Sequence, residues 1–397
     1  MEHKNTWITI PTYWGDYGTP DNPPCIDFDH PTALNGEETL SRTLESICRL
    51  PGDFRLLIIL AVTHPEYLTE AAHKVQQIIA HFHNLKRVFL ATPEAAAEIN
   101  RHLDDPILRM DSYGNIRNVQ LFVPYCLGAD YVIGIDDDEI IEDPKYLEKV
   151  LKAFSDHSAA GGLAGPYFDR EGEFRLKGAE ALGKIDNIFL KKNFYMNEAL
   201  KTAMARFSEV HRSVIAFGGN MVFTRKTISS VCHDPYIPRG EDYDYVINAL
   251  MCGIYFFYHP EMGIVHLPPD STGSQAGDNI RKLKADIRRF LYMKIKIEEH
   301  RKRFPEEAFS LKLLDPYPGA FLIDRDELVR QAKAALPEGY PEIIDRSTAE
   351  AFVEQAMEAA SRKCGEFFEY RERWRRILSI CGEDPNLSAI VNRLCST

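Results

Sequence analysis

The stretch Tyr131-Val132-Ile133-Gly134-Ile135-Asp136-Asp137-Asp138 joins an apolar run to three consecutive acids. A short run of β-branched and aromatic residues that stops at charged residues predicts a buried strand. Carboxylates at its exit suit Mg²⁺ or Mn²⁺, and a metal held by one or two of them keeps positions free for phosphates. A solvated acidic turn before a helix that begins near Asp143-Pro144 explains the triplet equally well.

Short apolar runs alternate with helix-like stretches through the first half of the chain. Strands are predicted at 7–11, 56–62, 87–91 and 131–135, and helices at 40–49, 70–83 and 115–127. Strands separated by helices of this length predict a sheet with helices on both faces, a doubly wound α/β fold. Ligands of such sheets bind beyond the carboxyl ends of the strands, where Pro11-Thr12-Tyr13 and the acidic triplet both emerge.

The second half is less regular and ends in helical patterns. A strand is predicted within 254–258, and residues 267–279 have the composition of a mobile loop. Helical spacing follows at 280–303 and again at 347–381, which opens with the capping-box pattern of Ser347 and Glu350. Packing and homo-oligomerisation are the expected roles of these helices; contact of the basic helix 280–303 with a membrane surface or an acidic acceptor is the alternative.

Composition narrows the class of partner. The chain has 397 residues and a formal net charge of −12, which argues against binding to nucleic acid and favours a small molecule. The longest apolar run, 56–62, is too short for an integral membrane segment, and the first residues lack a secretory signal, so a cytoplasmic protein is expected. The eight cysteines form no C-x-x-C pair, which indicates neither a zinc ribbon nor a disulfide framework.

Four segments between about residues 7 and 266 follow an order that is found in one enzyme family. They are Ile8-Thr9-Ile10-Pro11-Thr12-Tyr13; Gly114 to Val119 with Gly128 to Val132 and the triplet; Phe217 to Phe223; and Arg239-Gly240-Glu241-Asp242-Tyr243-Asp244. With this order the chain resembles the GT-A-type nucleotide-sugar glycosyltransferases, and most of all the large family 2 type. The triplet resembles the D-x-D metal motif of that family.

The resemblance implies a fold and a division of the chain. The implied fold is GT-A, a Rossmann-like, doubly wound mixed sheet, here with a helical C-terminal extension. Residues 1–270 are then the catalytic domain, with a nucleotide-sugar part at about 1–140 and an acceptor part at about 141–270. Residues 271–397 are the helical C-terminal region.

The resemblance also implies a metal site for Mn²⁺ or Mg²⁺. Asp138 is the expected direct ligand, and Asp136 faces the ribose and reaches the metal through water. Asp137 points the opposite way along an extended segment and supports the donor site. His266 is the expected third ligand, although a histidine at a strand end also has a purely structural interpretation.

Catalytic residues are expected where Arg239-Gly240-Glu241-Asp242 precedes an apolar helix. A carboxylate there can accept the proton of an acceptor hydroxyl, and Asp242 is the first candidate, Glu241 the second and Asp244 the third. A plain helix cap is the alternative interpretation of these acids.

Donor binding is assigned to Pro11, Thr12, Tyr13, Arg117, Asp136, Asp137, Gly218 and Gly219, and Arg239 and Lys282 are further candidates for the diphosphate. Trp14, Tyr167 and Tyr236 are candidate platforms for a sugar, with core packing as the alternative. The chain departs from the family at Val62-Thr63-His64-Pro65-Glu66, where an acidic pair is usual, and in a long insertion at 14–35. The base of the donor therefore stays open between GDP and UDP.

These observations together predict a metal-dependent glycosyltransferase. It moves a hexose from a nucleotide-diphosphate sugar, linked to GDP or UDP, to a hydroxyl acceptor, with inversion and with Asp242 as the base. A retaining enzyme on the same fold and a nucleotide-sugar-binding protein without turnover are the alternatives.

Overall fold

The computed structural model describes residues 4–16, 28, 31–206, 209–268, 275–382 and 384–397. The predicted loop 267–279 and the insertion 14–35 therefore lie partly outside the described residues. No described helix is long and apolar enough to cross a membrane.

The described residues contain eleven strands, which form two sheets. In chain order they are β1 (Thr6–Trp14), β2 (Arg55–Val62), β3 (Val88–Ala91), β4 (Tyr131–Gly134), β5 (Glu139–Ile140), β6 (Ala160–Ala164), β7 (Tyr167–Phe168), β8 (His211–Arg212), β9 (Met221–Thr224), β10 (Tyr255–Tyr258) and β11 (Ile264–His266). Eight of them form a sheet in the order β3-β2-β1-β4-β9-β6-β10-β8. The strands from β3 to β4 are parallel, whereas β9 runs antiparallel to both of its neighbours.

Helices cover both faces of this sheet. The α-helices of the described chain are α1 (Leu40–Cys48), α2 (Leu68–His81), α3 (Pro93–Leu103), α4 (Tyr113–Cys126), α5 (Tyr146–Asp156), α6 (Lys192–Met204), α7 (Arg225–Ser230), α8 (Glu241–Leu250), α9 (Gln275–Arg303), α10 (Arg325–Gly339), α11 (Arg346–Cys381) and α12 (Pro385–Cys395). One hydrophobic core lies between the sheet and α4, α8 and the C-terminal helices, and a second lies between the sheet and α1, α2 and α5. The predicted fold class, a doubly wound mixed sheet with C-terminal helices, is confirmed.

The register of β1 fixes the position of the site. β1 pairs in parallel with β2 on one side and with β4 on the other, where Thr9 lies opposite Gly134. Every residue of β1 is buried, its three threonines included, as expected for a strand covered on both faces. The carboxyl ends of β1 and β4 therefore emerge side by side.

The second sheet brings a distant segment to the same edge. Its order is β5-β11-β7, and the antiparallel pairing of β5 and β11 sets His266 opposite Glu139. The backbone N–H of Leu267 also donates to the carbonyl of Asp138 at 2.8 Å. These bonds place the end of β11 beside the acidic triplet.

The C-terminal helices share a core with the sheet domain. Trp374 on α11 is fully buried, its ring lies 6.1 Å from that of Phe122 on α4, and its indole Nε1 donates to the carbonyl of Ile228 at 2.8 Å. The described part of the C-terminal region is therefore packed onto the sheet domain, while the domain limits themselves stay a prediction.

Several predicted helix starts are displaced. α2 and α4 begin two residues earlier than predicted, α9 begins at Gln275 instead of residue 280, and α11 begins at Arg346 instead of residue 347. α5 begins at Tyr146, and Asp143 caps no helix, because its carboxylate accepts from the N–H of Lys145 and pairs with Lys149 at 2.7 Å. α11 is capped by Asp345, which accepts from the N–H of Thr348 at 2.7 Å. Ser347 donates its hydroxyl to Asp345 instead of capping the helix.

Candidate active site

A single pocket collects residues from seven separate segments at the carboxyl ends of β1 and β4. These are the end of β1, the first half of α4, the acids after β4, β7, the turn before β9, the start of α8 and the end of β11. The pocket is lined by Tyr13, Tyr113, Arg117, Asp136, Asp137, Asp138, Glu139, Tyr167, Phe217, Gly218, Gly219, Arg239, Gly240, Glu241, Asp242 and His266. Residues that are far apart in the sequence, and that were predicted separately, thus share one surface.

Asp138 and His266 form the part of the site that is best placed for a metal. Nε2 of His266 lies 3.1 Å from Oδ2 of Asp138, and both side chains are partly open, with 23% and 12% of their surface exposed. The hydroxyl of Tyr167 lies 2.9 Å from Nδ1 of His266, and the two rings stack with their centroids 4.6 Å apart. The imidazole is therefore held in one orientation beside the carboxylate.

The chemistry of this pair fits a divalent cation. Adjacent ligands of an octahedral ion with bonds of about 2.1 Å are separated by about 3.0 Å, close to the distance between these two atoms. Two protein ligands leave positions for water and phosphate oxygens. Within the described residues, no group of three or more His, Cys, Asp or Glu side chains could hold a metal ion by itself, so water or phosphate oxygens would have to complete the coordination.

Asp137 points away from this pair, as the alternation of an extended segment predicts. Its Oδ2 accepts from the hydroxyl of Thr12 at 2.6 Å, and its backbone carbonyl accepts from the hydroxyl of Thr43 at 2.9 Å. Burial, and then the charge of Asp138, raise the pKa of Asp137 well above its ordinary value. Asp137 therefore anchors the triplet to β1 and α1.

The donor-binding prediction for the end of β1 needs a correction. Tyr13 lines the pocket, but Pro11 and Thr12 are buried in the strand and do not. Thr12 contacts Asp137 and accepts from the indole N–H of Trp14 at 2.9 Å. The structure thus gives Pro11 and Thr12 a supporting place, and the buried Trp14 a place in the core instead of a sugar platform.

Arg117 joins the two acidic parts of the pocket. Its Nη2 lies 2.7 Å from Oδ1 of Asp136, and its Nε lies 3.4 Å from Oε1 of Glu241. Burial lowers the pKa of Arg117, but the charges of Asp136, Tyr13 and Glu241 outweigh burial and hold the pKa above its ordinary value. Because the guanidinium already has two carboxylate partners and is 5% exposed, direct contact with a diphosphate stays a prediction.

Glu139 is a site residue that the sequence did not reveal, although it directly follows the triplet. It is buried, and its Oε2 accepts from the backbone N–H of Asp136 at 2.7 Å. Burial, and then the charges of Asp136 and Asp138, raise its pKa well above the ordinary value. A Cβ on Gly219 would overlap the Glu139 carboxylate, which explains the glycine at that position.

Gly218 is also required by its surroundings. A Cβ at this position would lie 2.7 Å from Nη2 of Arg117, closer than real contacts of a Cβ. Its backbone N–H donates to Oδ2 of Asp242 at 3.2 Å. The predicted small-residue turn therefore lets the backbone pass between Arg117 and the start of α8.

The acids at the start of α8 differ in their environment. Gly240 caps the helix with a φ of 69°, and Glu241, Asp242 and Asp244 lie in the first turn. Burial, followed by the charge of Asp242, raises the pKa of Glu241 to about 7 although Arg117 opposes the shift. Asp244 is fully buried and pairs with Lys296 on α9, so it does not reach the pocket. The third candidate for the base is thereby excluded by its position.

Of the remaining candidates for diphosphate and sugar binding, two line the pocket and two do not. Arg239 and Tyr167 line the pocket, whereas Lys282 and Tyr236 do not. Tyr236 lines a separate cleft formed with α9 and α11.

Comparisons with known proteins add three observations. No family model and no curated protein matches the sequence. The chain is similar to the mannosyltransferase PcManGT from Pyrobaculum calidifontis, solved with GDP-Man and Mn²⁺, with 10% identity and a TM-score of 0.47 over 95% of this chain and 86% of that chain. It is also similar to glucosyl-3-phosphoglycerate synthase from Mycobacterium tuberculosis, solved with Mn²⁺, UDP and phosphoglyceric acid, with 12% identity and a TM-score of 0.39 over 72% of this chain and 76% of that chain.

Both TM-scores lie below 0.5.

Proposed function

We propose that this protein is a metal-dependent glycosyltransferase that moves a hexose from a nucleotide-diphosphate sugar to a hydroxyl acceptor. One observation carries the proposal. The Asp138–His266 pair, suited to a divalent cation, lines the same pocket as Asp242, a carboxylate suited to take up a proton. Transfer of a sugar from a diphosphate needs both functions within one substrate's length.

The donor side is formed by the end of β1 and the acids after β4. Asp138 and His266 would hold Mn²⁺ or Mg²⁺, and a bound cation supplies Lewis-acid stabilisation of the departing diphosphate. Tyr13 packs between aromatic rings, 4.6 Å from that of Phe28 and 5.3 Å from that of Tyr113. The Tyr13 hydroxyl is buried and has no hydrogen-bond partner in the described chain, which suits a polar group of a bound donor.

Arg117 influences the ionisation of Asp136 on the donor side of the pocket. Burial raises the pKa of Asp136, and the nearby Arg117 charge opposes that shift. The Arg117 charge thus favours the ionised form of Asp136 beside Asp138. We assign Arg117 the task of keeping the acids in place while a donor binds.

Asp242 is the proposed base on the acceptor side. Its carboxylate is fixed by the N–H groups of Gly218 at 3.2 Å and Tyr243 at 2.7 Å, and it lines the pocket. It would accept the proton of the acceptor hydroxyl as that oxygen bonds to the anomeric carbon and the bond from this carbon to the diphosphate breaks on the opposite face, a single displacement that gives inversion. Glu241 is less suited, because it is buried and paired with Arg117.

A thermal-stability panel tests the proposal. A ligand that binds only the folded state raises the melting temperature, and we expect one GDP- or UDP-linked hexose to do so in the presence of Mn²⁺. The Asp138→Ala variant should lose this shift, while Asp156→Ala, which changes an exposed acid on α5, should keep it. A panel in which no nucleotide sugar stabilises the wild-type protein would contradict the proposal.

Turnover separates the alternatives. A binding protein without turnover would give the thermal shift but release no nucleoside diphosphate. The anomeric configuration of the product, read by NMR, separates inversion from retention.

A further inference from the structure

Helix α9 places two buried cations against the start of α8. Arg289 and Lys296 are seven residues apart, about two helical turns, and therefore lie on one face of α9. Arg289 is 4% exposed and Lys296 is 0% exposed. Buried cations are rare without partners, so both side chains require an explanation.

Lys296 is at the centre of a buried polar network. Its Nζ donates to both carboxylate oxygens of Asp244 at 2.6 Å, to Oδ2 of Asp234 at 2.9 Å and to Oδ1 of Asn248 at 3.0 Å. Asp244 lies in the first turn of α8, two residues from Asp242. The ammonium thus fixes the face of α8 that is opposite to the pocket.

The same network holds the segment that leads into α8. Oδ2 of Asp234 also accepts from the hydroxyl of Tyr292 at 2.7 Å, and its Oδ1 accepts from the backbone N–H of Tyr236 at 2.9 Å. Lys296 therefore connects α9 to both ends of the segment 234–244, through Asp234 at its start and Asp244 at its end. Arg239, Gly240, Glu241 and Asp242, which line the pocket, lie between these two anchors.

Arg289 restrains the segment from a second direction. A Cβ on Gly240 would overlap its guanidinium, so this guanidinium lies directly against the backbone of the α8 cap. Nε and Nη2 of Arg289 are buried and have no hydrogen-bond partner in the described chain. Burial lowers the pKa of Arg289, but the neighbouring Tyr317 and Asp242 outweigh burial and raise the pKa.

Stability alone gives a poor account of this arrangement. Buried ion pairs often stabilise a protein no more than apolar residues of the same volume would. The hydrogen bonds of Lys296 do fix the positions of Asp234, Asp244 and Asn248 relative to one another.

We propose that Lys296 is a positioning residue, which holds the segment from Asp234 to Asp244 so that Asp242 faces the acceptor hydroxyl. This inference rests on the proposed function for its catalytic consequence. The proposal gives the C-terminal helical region a part in forming the site, since Lys296 positions Asp242 through its contacts with Asp244 and Asp234. It requires no contact between Lys296 and any substrate.

The test compares three variants of α9. Lys296→Met removes the charge and keeps the stem, Lys296→Arg keeps the charge, and Lys302→Met changes an exposed lysine on the same helix as the matched control. If Lys296→Met does not fold, the double variant Lys296→Met/Asp244→Asn replaces it, because it conserves the net charge of the network. Two readouts are collected: amide hydrogen exchange, and kinetics with donor affinity measured separately.

Hydrogen exchange decides the positioning claim without any activity. We expect Lys296→Met to raise exchange by about tenfold or more in residues 234–244, a loss of local protection, and to leave residues 131–140 unchanged. Lys296→Arg should recover part of the protection, and Lys302→Met should match the wild type. Unchanged exchange in 234–244, or an equal rise in both segments, would overturn the proposal.

The kinetic readout links position to chemistry. A displacement of about 1 Å can cost about 100-fold in rate, so Lys296→Met should lower kcat strongly while the Kd of the donor with Mn²⁺ stays within about twofold of the wild-type value. A wild-type kcat, or a parallel loss of kcat and donor affinity, would contradict a positioning role. If the wild-type protein transfers no sugar, the proposed function fails, and the exchange result still decides the claim about Lys296.

Discussion

Nε2 of His266 lies 3.1 Å from Oδ2 of Asp138, although 128 residues separate the two along the chain. The pairing of β5 with β11 creates this contact, because it sets His266 opposite Glu139. A hydroxyl from Tyr167 fixes the other nitrogen of the ring. A carboxylate and an imidazole in contact, both partly open to the pocket, are the basis of the predicted metal site.

Removal of either side chain should abolish metal binding. Asp138→Ala and His266→Ala are each expected to lose the rise in melting temperature that Mn²⁺ alone gives to the wild type, because neither remaining ligand holds the ion by itself. Calorimetric titration with Mn²⁺ checks the loss of affinity, with Asp156→Ala as the control. An Mn²⁺ affinity within twofold of the wild-type value in Asp138→Ala would refute this site.

Replacement of the proposed base should separate binding from turnover. Asp242→Asn keeps the size of the side chain but cannot accept a proton, so kcat should fall by about 10²- to 10⁴-fold. The donor affinity, measured by calorimetry with Mn²⁺, should change little. Glu241→Gln is the matched comparison and should lose less of kcat; a larger loss in Glu241→Gln than in Asp242→Asn would transfer the role of base to Glu241.

Glu241 should make stability depend on pH. Its pKa is raised by burial from 4.5 to about 7, so the folded state holds this proton more tightly than the unfolded state does. The folded protein should therefore lose stability as pH rises from about 4.5 to 7, by up to about 3 kcal/mol from this group.

Glu241→Gln removes that dependence. We expect the free energy of unfolding of Glu241→Gln, minus that of the wild type, to be larger at pH 8 than at pH 5. Urea unfolding of both proteins at both pH values measures this difference. A stability difference that stays the same at the two pH values would show that Glu241 does not titrate in this range.

Gly219 should not tolerate a larger residue. In Gly219→Ala the new methyl group would overlap the buried carboxylate of Glu139, and the resulting shift should cost about 1–3 kcal/mol of unfolding free energy. Gly365→Ala on α11 is the control, because nothing lies within 4 Å of its Cβ, and it should be neutral or stabilising by up to about 1 kcal/mol. Equal stability of Gly219→Ala and the wild type, in urea unfolding, would count against the packing described for Glu139.

Local sequence patterns predicted the elements that carry the donor side. β2 and β4 are continuous apolar runs, β1 is a largely apolar one, and the observed bounds of all three lie within three residues of the predicted ones. The acids after β4 and at the start of α8 could also be predicted, because the first directly follow a strand and the second open a helix. The starts of α5 and α11 differ from the prediction because the residues before their first turns are Lys145 and Asp345, and not Asp143 and Ser347.

One helix and the long-range contacts were not predicted from these patterns. The helix is α3, whose alanine-rich segment follows directly after a short strand. Glu139 appears in the sequence as one more acid of the triplet, and only the fold buries it beneath Gly219. Lys296 is 52 residues from Asp244 and 62 from Asp234, so helical spacing suggested no more than a basic helix with a packing role.

The release of nucleoside diphosphate from nucleotide sugars tests the central claim most directly. The wild-type protein and Asp138→Ala are incubated with each GDP- and UDP-linked hexose and Mn²⁺, before and after exhaustive chelation, and the products are separated by chromatography. Slow hydrolysis suffices, since water can take the place of the acceptor. The account predicts that the wild type consumes at least one donor, and that chelation or the Asp138→Ala change slows this by about 100-fold or more, since metal stabilisation of the leaving group is worth several kcal/mol. Consumption of no nucleotide sugar, or an unchanged rate after chelation, would contradict it.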